Sequence, residues 1–304
     1  MSNKLDELNK LFTSKNPEDI IRFYDHFDNA EQLISWMKNR PSAPMRIYEQ
    51  EGKKDIVIVI PTSDHNGKLA NNCKKIFKGL QIVFVESNGP FFNYARSCNF
   101  GLKYASKYKS KWLILSNDDI QKIDYIEKLK SNLSEMLNDI DVIYINPSNY
   151  HSFTTFLSKG NVLLRLSRTI SGKPFKGYDK LLSKFSIKYD TVSKLRLSKG
   201  RVLLYKKIHY FINIGDFSIF SASFVSSHQP LLNEAFVNDY EDLYLSLSIS
   251  LDENIKKNQI NFNIKSSMGG TMGRTKIRTL RDVASLAYFN KLLMGINNQK
   301  LKLK

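Results

Sequence analysis

Only two cysteines, Cys73 and Cys98, occur in 304 residues, too few for a disulfide framework and without the spacing of a metal site. A reducing, cytoplasmic setting is the expectation, with Cys98 a small buried apolar group among helical residues. No apolar run approaches the roughly 18–20 residues that span a bilayer. The stretch from Met1 to Phe12 carries charges throughout, unlike a secretory leader. Any meeting with a membrane is therefore expected at its surface, as a peripheral protein on the inner face. Gly-rich loops of the Rossmann or P-loop kind are missing, which weighs against a nicotinamide dehydrogenase or an ATPase. Acidic residues are in deficit, 29 Asp and Glu against 46 Lys and Arg, for a formal charge of +17. Such a balance favours anionic partners: nucleotides, phospholipid headgroups or nucleic acid.

What is present has the makeup of a folded protein, 42% hydrophobic and 12% aromatic, long enough for one large α/β unit. Residues 1–40 place apolar side chains at helical spacing, with Leu5, Leu8, Leu11 and Phe12 first, then Ile20, Phe23, Tyr24 and Phe27, then Leu33, Ile34 and Trp36. Two or three amphipathic helices are predicted, broken at Pro17 and ended by Pro41 and Pro44. From Asp55 the pattern changes to short β-branched runs: 55–60, 81–85, 111–115 and 141–145. Helical stretches lie between them, 68–80, 93–108 and about 125–137, and this alternation predicts βαβ units with a mainly parallel sheet. Between Lys159 and Lys207 stand fourteen Lys and Arg against only Asp179 and Asp190, so this segment supplies most of the net charge. A strand and loop over 211–225, a helix near 242–250 and a frayed basic tail complete the reading.

Ligands of open parallel sheets bind beyond the carboxyl ends of the strands, so polar clusters matter where the apolar runs stop. The first run ends in Pro61, Thr62, Ser63 and Asp64; the second in Glu86, Ser87, Asn88 and Gly89; the third in Ser116, Asn117, Asp118 and Asp119. Two adjacent carboxylates repel, and a hard divalent cation such as Mg²⁺ or Mn²⁺ relieves that repulsion with oxygen ligands. A helix N-cap is the competing account of the same residues. Arg96, just past the second run, suits either a solvated helix face or the oxygens of a diphosphate. Asp239, Glu241 and Asp242 open a helix, where acids complement the dipole, yet a carboxylate there also suits a general base.

These pieces, in this order, resemble glycosyltransferase family 2, inverting enzymes of the GT-A type. Residues 56–62 resemble the family's opening strand, 84–89 its second strand end, 95–105 its helix carrying Ala-Arg, Asn and Gly, 115–120 its metal-binding Asp motif, and 236–245 its later Glu-Asp motif. The resemblance covers 55–125 and, more loosely, 215–250. It implies a GT-A-like, mainly parallel nucleotide-binding sheet flanked by helices over 55–292. An N-terminal helical extension (1–54), a basic insertion (about 159–207) and a basic tail (293–304) are added to it. It also implies a nucleoside-diphosphate sugar donor, a glycan or lipid-linked acceptor, and Mn²⁺ or Mg²⁺ as cofactor. Residue by residue, it implies that Asp242, with Glu241, is the catalytic base and Asp119 the metal ligand. Pro61, Thr62, Glu86, Asn88, Arg96 and Asp118 would bind the donor. Departures are Glu86 for the usual Asp, Asn117 at the first acidic position of the metal motif, and Tyr244 at an often acidic position. No counterpart of the family's downstream His stands near 265–270, and Arg274, Lys276 and Arg278 are candidates to steady the diphosphate instead. The resemblance would set the basic segment among acceptor-binding elements, suited to a lipid-linked phosphate or an anionic membrane. Two other classes stay open: a nucleic-acid-binding α/β protein, which leaves the Asp cluster unexplained, and an inactive transferase-like partner subunit. A sugar-nucleotide pyrophosphorylase is disfavoured by the missing Gly-rich phosphate loop.

Overall fold

The computed structural model of the chain describes residues 2–147, 154–171, 177–192, 199–204, 206–212, 214–267 and 275–302. Three helices open it, α1 (Ser2–Thr13), α2 (Pro17–Asp25) and α3 (Ala30–Asn39). Asn16 starts α2 by accepting the Glu18 N–H at 3.1 Å, and Pro17 follows where no donor is needed. Then come β1 (Met45–Gln50), β2 (Lys53–Thr62), α4 (Lys68–Ile76), β3 (Leu80–Ser87), α5 (Tyr94–Ala105), β4 (Trp112–Ser116), β5 (Ile120–Ile123), α6 (Ile126–Ser134) and β6 (Val142–Tyr144). The basic segment contributes β7 (Thr155–Ser158), α7 (Val162–Ser171), α8 (Tyr178–Lys184), β8 (Tyr189–Val192), β9 (Gly200–Leu204) and β10 (Lys207–Phe211). The chain closes with β11 (Phe217–Ser221), α9 (Ala222–Ser227), α10 (Glu241–Leu251), β12 (Lys257–Gln259), β13 (Ile264–Ser266) and α11 (Lys276–Lys302).

The main sheet has seven strands in the order β1-β3-β2-β4-β11-β6-β12. It is mixed, which corrects the expectation of a mainly parallel sheet. The βαβ strands β3, β2 and β4 are parallel as predicted, but β1 adds to the edge antiparallel to β3. β11 inserts antiparallel between β4 and β6. The extension over 1–54 is thus helical only up to α3 and ends in a strand of the sheet. The basic tail assigned from 293 continues α11, which runs to Lys302 and buries Leu293.

Period-two alternation divides the core. Ile56, Ile58 and Ile60 of β2 pack with Cys73, Phe77 and Leu129 on one face, and Val57 and Val59 pack with Ala95, Cys98 and Leu102 on the other. Gly101 lets α5 lie flat on the second face. A Cβ there would sit 2.4 Å from a Val59 methyl and 2.6 Å from one of Val85. The N-terminal helices pack on α11: the Tyr24 hydroxyl donates to the Leu280 carbonyl at 2.5 Å, and Arg281 Nε to the Phe12 carbonyl at 2.9 Å. The basic segment forms a smaller sheet, order β10-β9-β7-β8, whose Phe156 stacks on Phe289 of α11 with centroids 4.8 Å apart. No helix among the described residues is long and apolar enough to cross a membrane.

Candidate functional site

The parallel strands β2, β3 and β4 end on one edge, and each delivers a polar loop there. At the end of β2, the Thr62 hydroxyl donates to Asp118 Oδ2 at 2.8 Å, joining the first and third of these loops. Asp118 is buried, and its backbone carbonyl lies 3.2 Å from the Cys73 thiol. Burial first, then the Asp118 and Asp119 charges, push the Cys73 thiol up to about 12, so it is no nucleophile. Because β11 runs antiparallel to β4 with Phe217 opposite Ser116, the residues before β11 arrive beside the same loop. Asp216 accepts from the Asn117 amide at 3.4 Å and from the Ser266 hydroxyl at 2.8 Å, while Tyr94 donates to Asn117 Oδ1 at 2.6 Å.

A second set of contacts brings α10 to this edge. Arg40, buried at the end of α3, donates to the carbonyl oxygens of Ala235 (2.9 Å), Phe236 (2.5 Å) and Glu234 (3.3 Å). Burial and the nearby Arg96 charge lower its pKa to about 9. Asn93 caps α5 and also donates to Phe236 O at 2.7 Å; Asn99 donates to Leu232 O at 2.8 Å and accepts the Leu232 N–H at 3.0 Å. Asn238 accepts the Tyr94 N–H at 2.8 Å and donates to Phe92 O at 2.8 Å. With the loop so fixed, Asn238, Asp239 and Tyr240 all hold positive φ (68°, 124° and 73°), a strained run for non-glycine residues. It ends where α10 begins, with Glu241 accepting the Asp239 N–H at 2.7 Å.

The result is a cavity of about 310 Å³. Of the residues singled out from the sequence, Pro61, Thr62, Asn88, Asp118, Asp119, Glu241 and Asp242 all line it. Glu241 is buried, and desolvation with the Asp242 and Asp239 charges raises its carboxyl to about 8, so it carries a proton at neutral pH. Asp242 is half-buried beside it at the positive end of α10. Arg278, the one basic side chain among the lining residues described, grips Asp239 through Nη2 at 2.9 Å and Nε at 3.3 Å.

Two expected donor residues are not among those that line the cavity. Arg96 instead donates to Ser42 and to Pro41 O (3.4 Å), with Glu234 3.8 Å away, so its fork lies on the α3–β1 connection. Glu86 turns outward to His65, accepting its backbone N–H at 3.0 Å and lying 2.6 Å from Nδ1. Those bonds hold its pKa below the usual value. The His65 ring stacks on Tyr48, 3.4 Å between centroids and 5° from parallel. Tyr244, at the often acidic position, packs against Phe236 and Phe289. Arg274 and residues 268–270 of the stretch 265–270, considered for the diphosphate and a missing His, lie outside the described residues. Asp216, Tyr94 and Asn238 were not foreseen. The signal available for Asp216 was its place immediately before the apolar run 217–221.

No family model matches the chain, and no curated protein matches it. Among solved structures, the crystal structure of A197 from STIV is similar over 70% of this chain and 85% of that one, with 11% identity and a TM-score of 0.36.

Proposed function

We propose that the chain is a metal-dependent inverting glycosyltransferase of the GT-A type, moving a sugar from a nucleoside-diphosphate sugar to a hydroxyl of a glycan or lipid-linked acceptor. One observation carries this reading: Asp118 and Asp119 from the end of β4 share a single cavity with Asp242 from the start of α10. Carboxylates at strand ends suit a nucleotide and its cation, and a carboxylate facing them suits a base.

The lining side chains include the carboxylates of Asp118, Asp119, Asp239, Glu241 and Asp242 with a single guanidinium; these are oxygen donors of the kind a hard divalent cation takes, but among the described residues the ligand atoms already gathered within 4.8 Å are those of Asp64, His65 and Glu86 outside this set. Asp119 would hold Mn²⁺ or Mg²⁺, and Asp118, which accepts the Thr62 hydroxyl, would face the donor ribose. When bound, such a cation supplies Lewis acidity that offsets the charge developing on a departing diphosphate. Arg278, which lines the cavity as Arg96 does not, would take the phosphate role. Pro61, Thr62, Ser63 and Asn88 form the wall against which the nucleoside rests. Asp242 removes the proton of the acceptor hydroxyl as that oxygen attacks the anomeric carbon and the bond to the diphosphate breaks on the opposite face. Protonated Glu241 adds no second negative charge beside it, and its hold on the Asp239 N–H keeps the α10 turn in place.

Thermal-shift screening of nucleoside diphosphates and their sugars, with and without Mn²⁺, identifies the donor. With it in hand, Asp242→Asn is expected to keep donor binding and lose transfer. Equal loss of both would remove the base role. Firm donor binding by the unmodified chain with no turnover would favour the inactive partner subunit.

A further inference from the structure

The smaller sheet has one face turned inward, where Phe156 stacks on Phe289 of α11. Register then assigns the outer face. Asp190 neighbours Thr191, the partner of Phe156, and so points outward, where Arg168 of α7 pairs with it. Helix α7 therefore lies over β7 and β8, its Leu164 buried beneath it. Thr155 also points outward and is aligned with Arg201 of β9. That places Arg201 and Leu203, with their cross-strand partners Tyr210 and Ile208, on the same outer face beside α7.

This face is apolar where it is exposed. Val162 (62%), Leu163 and Leu166 on α7, and Leu203, Ile208 (58%) and Tyr210 on the hairpin, are all open to solvent. Val162 and Leu166 stand two residues either side of Leu164, on the side of the helix away from the sheet. Around them are Arg165, Arg201 and Lys206, all exposed, with Lys159 half-buried. The acids of the segment, Asp179 and Asp190, both pair with Arg168. Exposed aliphatic side chains ringed by cations, with Tyr210 as an interfacial ring under Arg201, have the chemistry of a surface that meets anionic lipid.

We propose that the outer face of the β7–β10 sheet, with α7, docks on an anionic phospholipid bilayer, the aliphatic side chains entering the headgroup boundary and the cations contacting lipid phosphates. A second copy is disfavoured because a two-fold contact would set this positive face against itself. Nucleic acid is disfavoured because Val162, Leu166 and Ile208 offer it neither charge nor a stacking plane. This surface is separate from the cavity, so docking stands or falls independently of the transferase reading.

The test is co-sedimentation of the full chain with phosphatidylcholine vesicles, with and without phosphatidylglycerol. Binding is expected only with phosphatidylglycerol. Lys206→Ser and Arg165→Ser should each reduce partition about fivefold. Leu203→Ser with Ile208→Ser should reduce it about tenfold or more. Both strand positions are exposed, and an unchanged unfolding temperature verifies that these variants fold. Equal binding to both vesicle types, or binding undiminished by the double variant, overturns the proposal. So does a concentration-dependent dimer that the double variant abolishes, or an oligonucleotide that displaces the vesicles at equal phosphate.

Discussion

Replacing Glu241 by Gln should change how stability depends on pH more than it changes stability at acid pH. In the folded chain Glu241 keeps its proton up to about 8, against an ordinary 4.5, because burial and the charges of Asp242 and Asp239 oppose ionisation. Between those values the folded state binds more protons than the unfolded state, so stability falls as pH rises. The contribution is fully present below about 4.5 and lost as pH climbs through about 8. One proton gives a slope of at most about 1.4 kcal/mol per pH unit, and neighbouring carboxylates that share the titration spread it. Asp282, raised by burial and by Asp239, also feels the Glu241 charge, so the substitution shifts its titration too and spreads the difference over pH. Gln keeps an oxygen for the Asp239 N–H, now 2.7 Å from Glu241, and has no proton to lose. Urea unfolding with a chelator at steps from pH 5 to 8 should therefore show Glu241→Gln gaining on the parent as pH rises, with similar stabilities at the acid end. Parallel stability curves across that range would refute a buried, protonated Glu241.

The remaining expectations address packing, the loop latch and the phosphate subsite. Gly101→Ala should destabilise by about 1–3 kcal/mol, read by urea unfolding, because the added methyl meets Val59 and Val85 below 3 Å. Arg40→Ala leaves the Glu234, Ala235 and Phe236 carbonyls without their shared donor and should cost on the order of 3 kcal/mol. If the latch matters to the site, the same variant also weakens donor binding by calorimetry. Arg278→Ala should reduce nucleoside-diphosphate affinity about tenfold or more, whereas Arg96→Ala should leave it within about twofold. Reversed sensitivities would restore the phosphate role to Arg96.

The alternation of β-branched runs with helical stretches fixes β2, α4, β3, α5 and β4 because local periodicity and burial agree there. The polar residues that end those strands were legible for the same reason: once strands are parallel, their carboxyl ends share an edge. β1 and β11 were harder to place. Alternation reveals a strand but not its direction, and β11 reaches its place through pairings with β4 and β6, both distant in sequence. Arg96 shows the limit of reading side chains from a motif. Its helix position is right, but a guanidinium reaches in several directions, and Ser42 and Glu234 arrive from segments the motif does not describe. The strained turn over 238–240 was equally hidden, since three non-glycine residues at positive φ contradict local preference and are held by distant partners, among them the hydrogen bonds of Asn238, Glu241 and Arg278.

Release of nucleoside diphosphate from the donor identified by thermal shift, followed with Mn²⁺ for the parent chain and for Asp119→Asn, tests the shared Asp118, Asp119 and Asp242 cavity most directly. Turnover that needs Mn²⁺ in the parent and falls by two orders of magnitude or more in Asp119→Asn is the predicted result. Equal turnover by both proteins, at the same dependence on Mn²⁺, would contradict it.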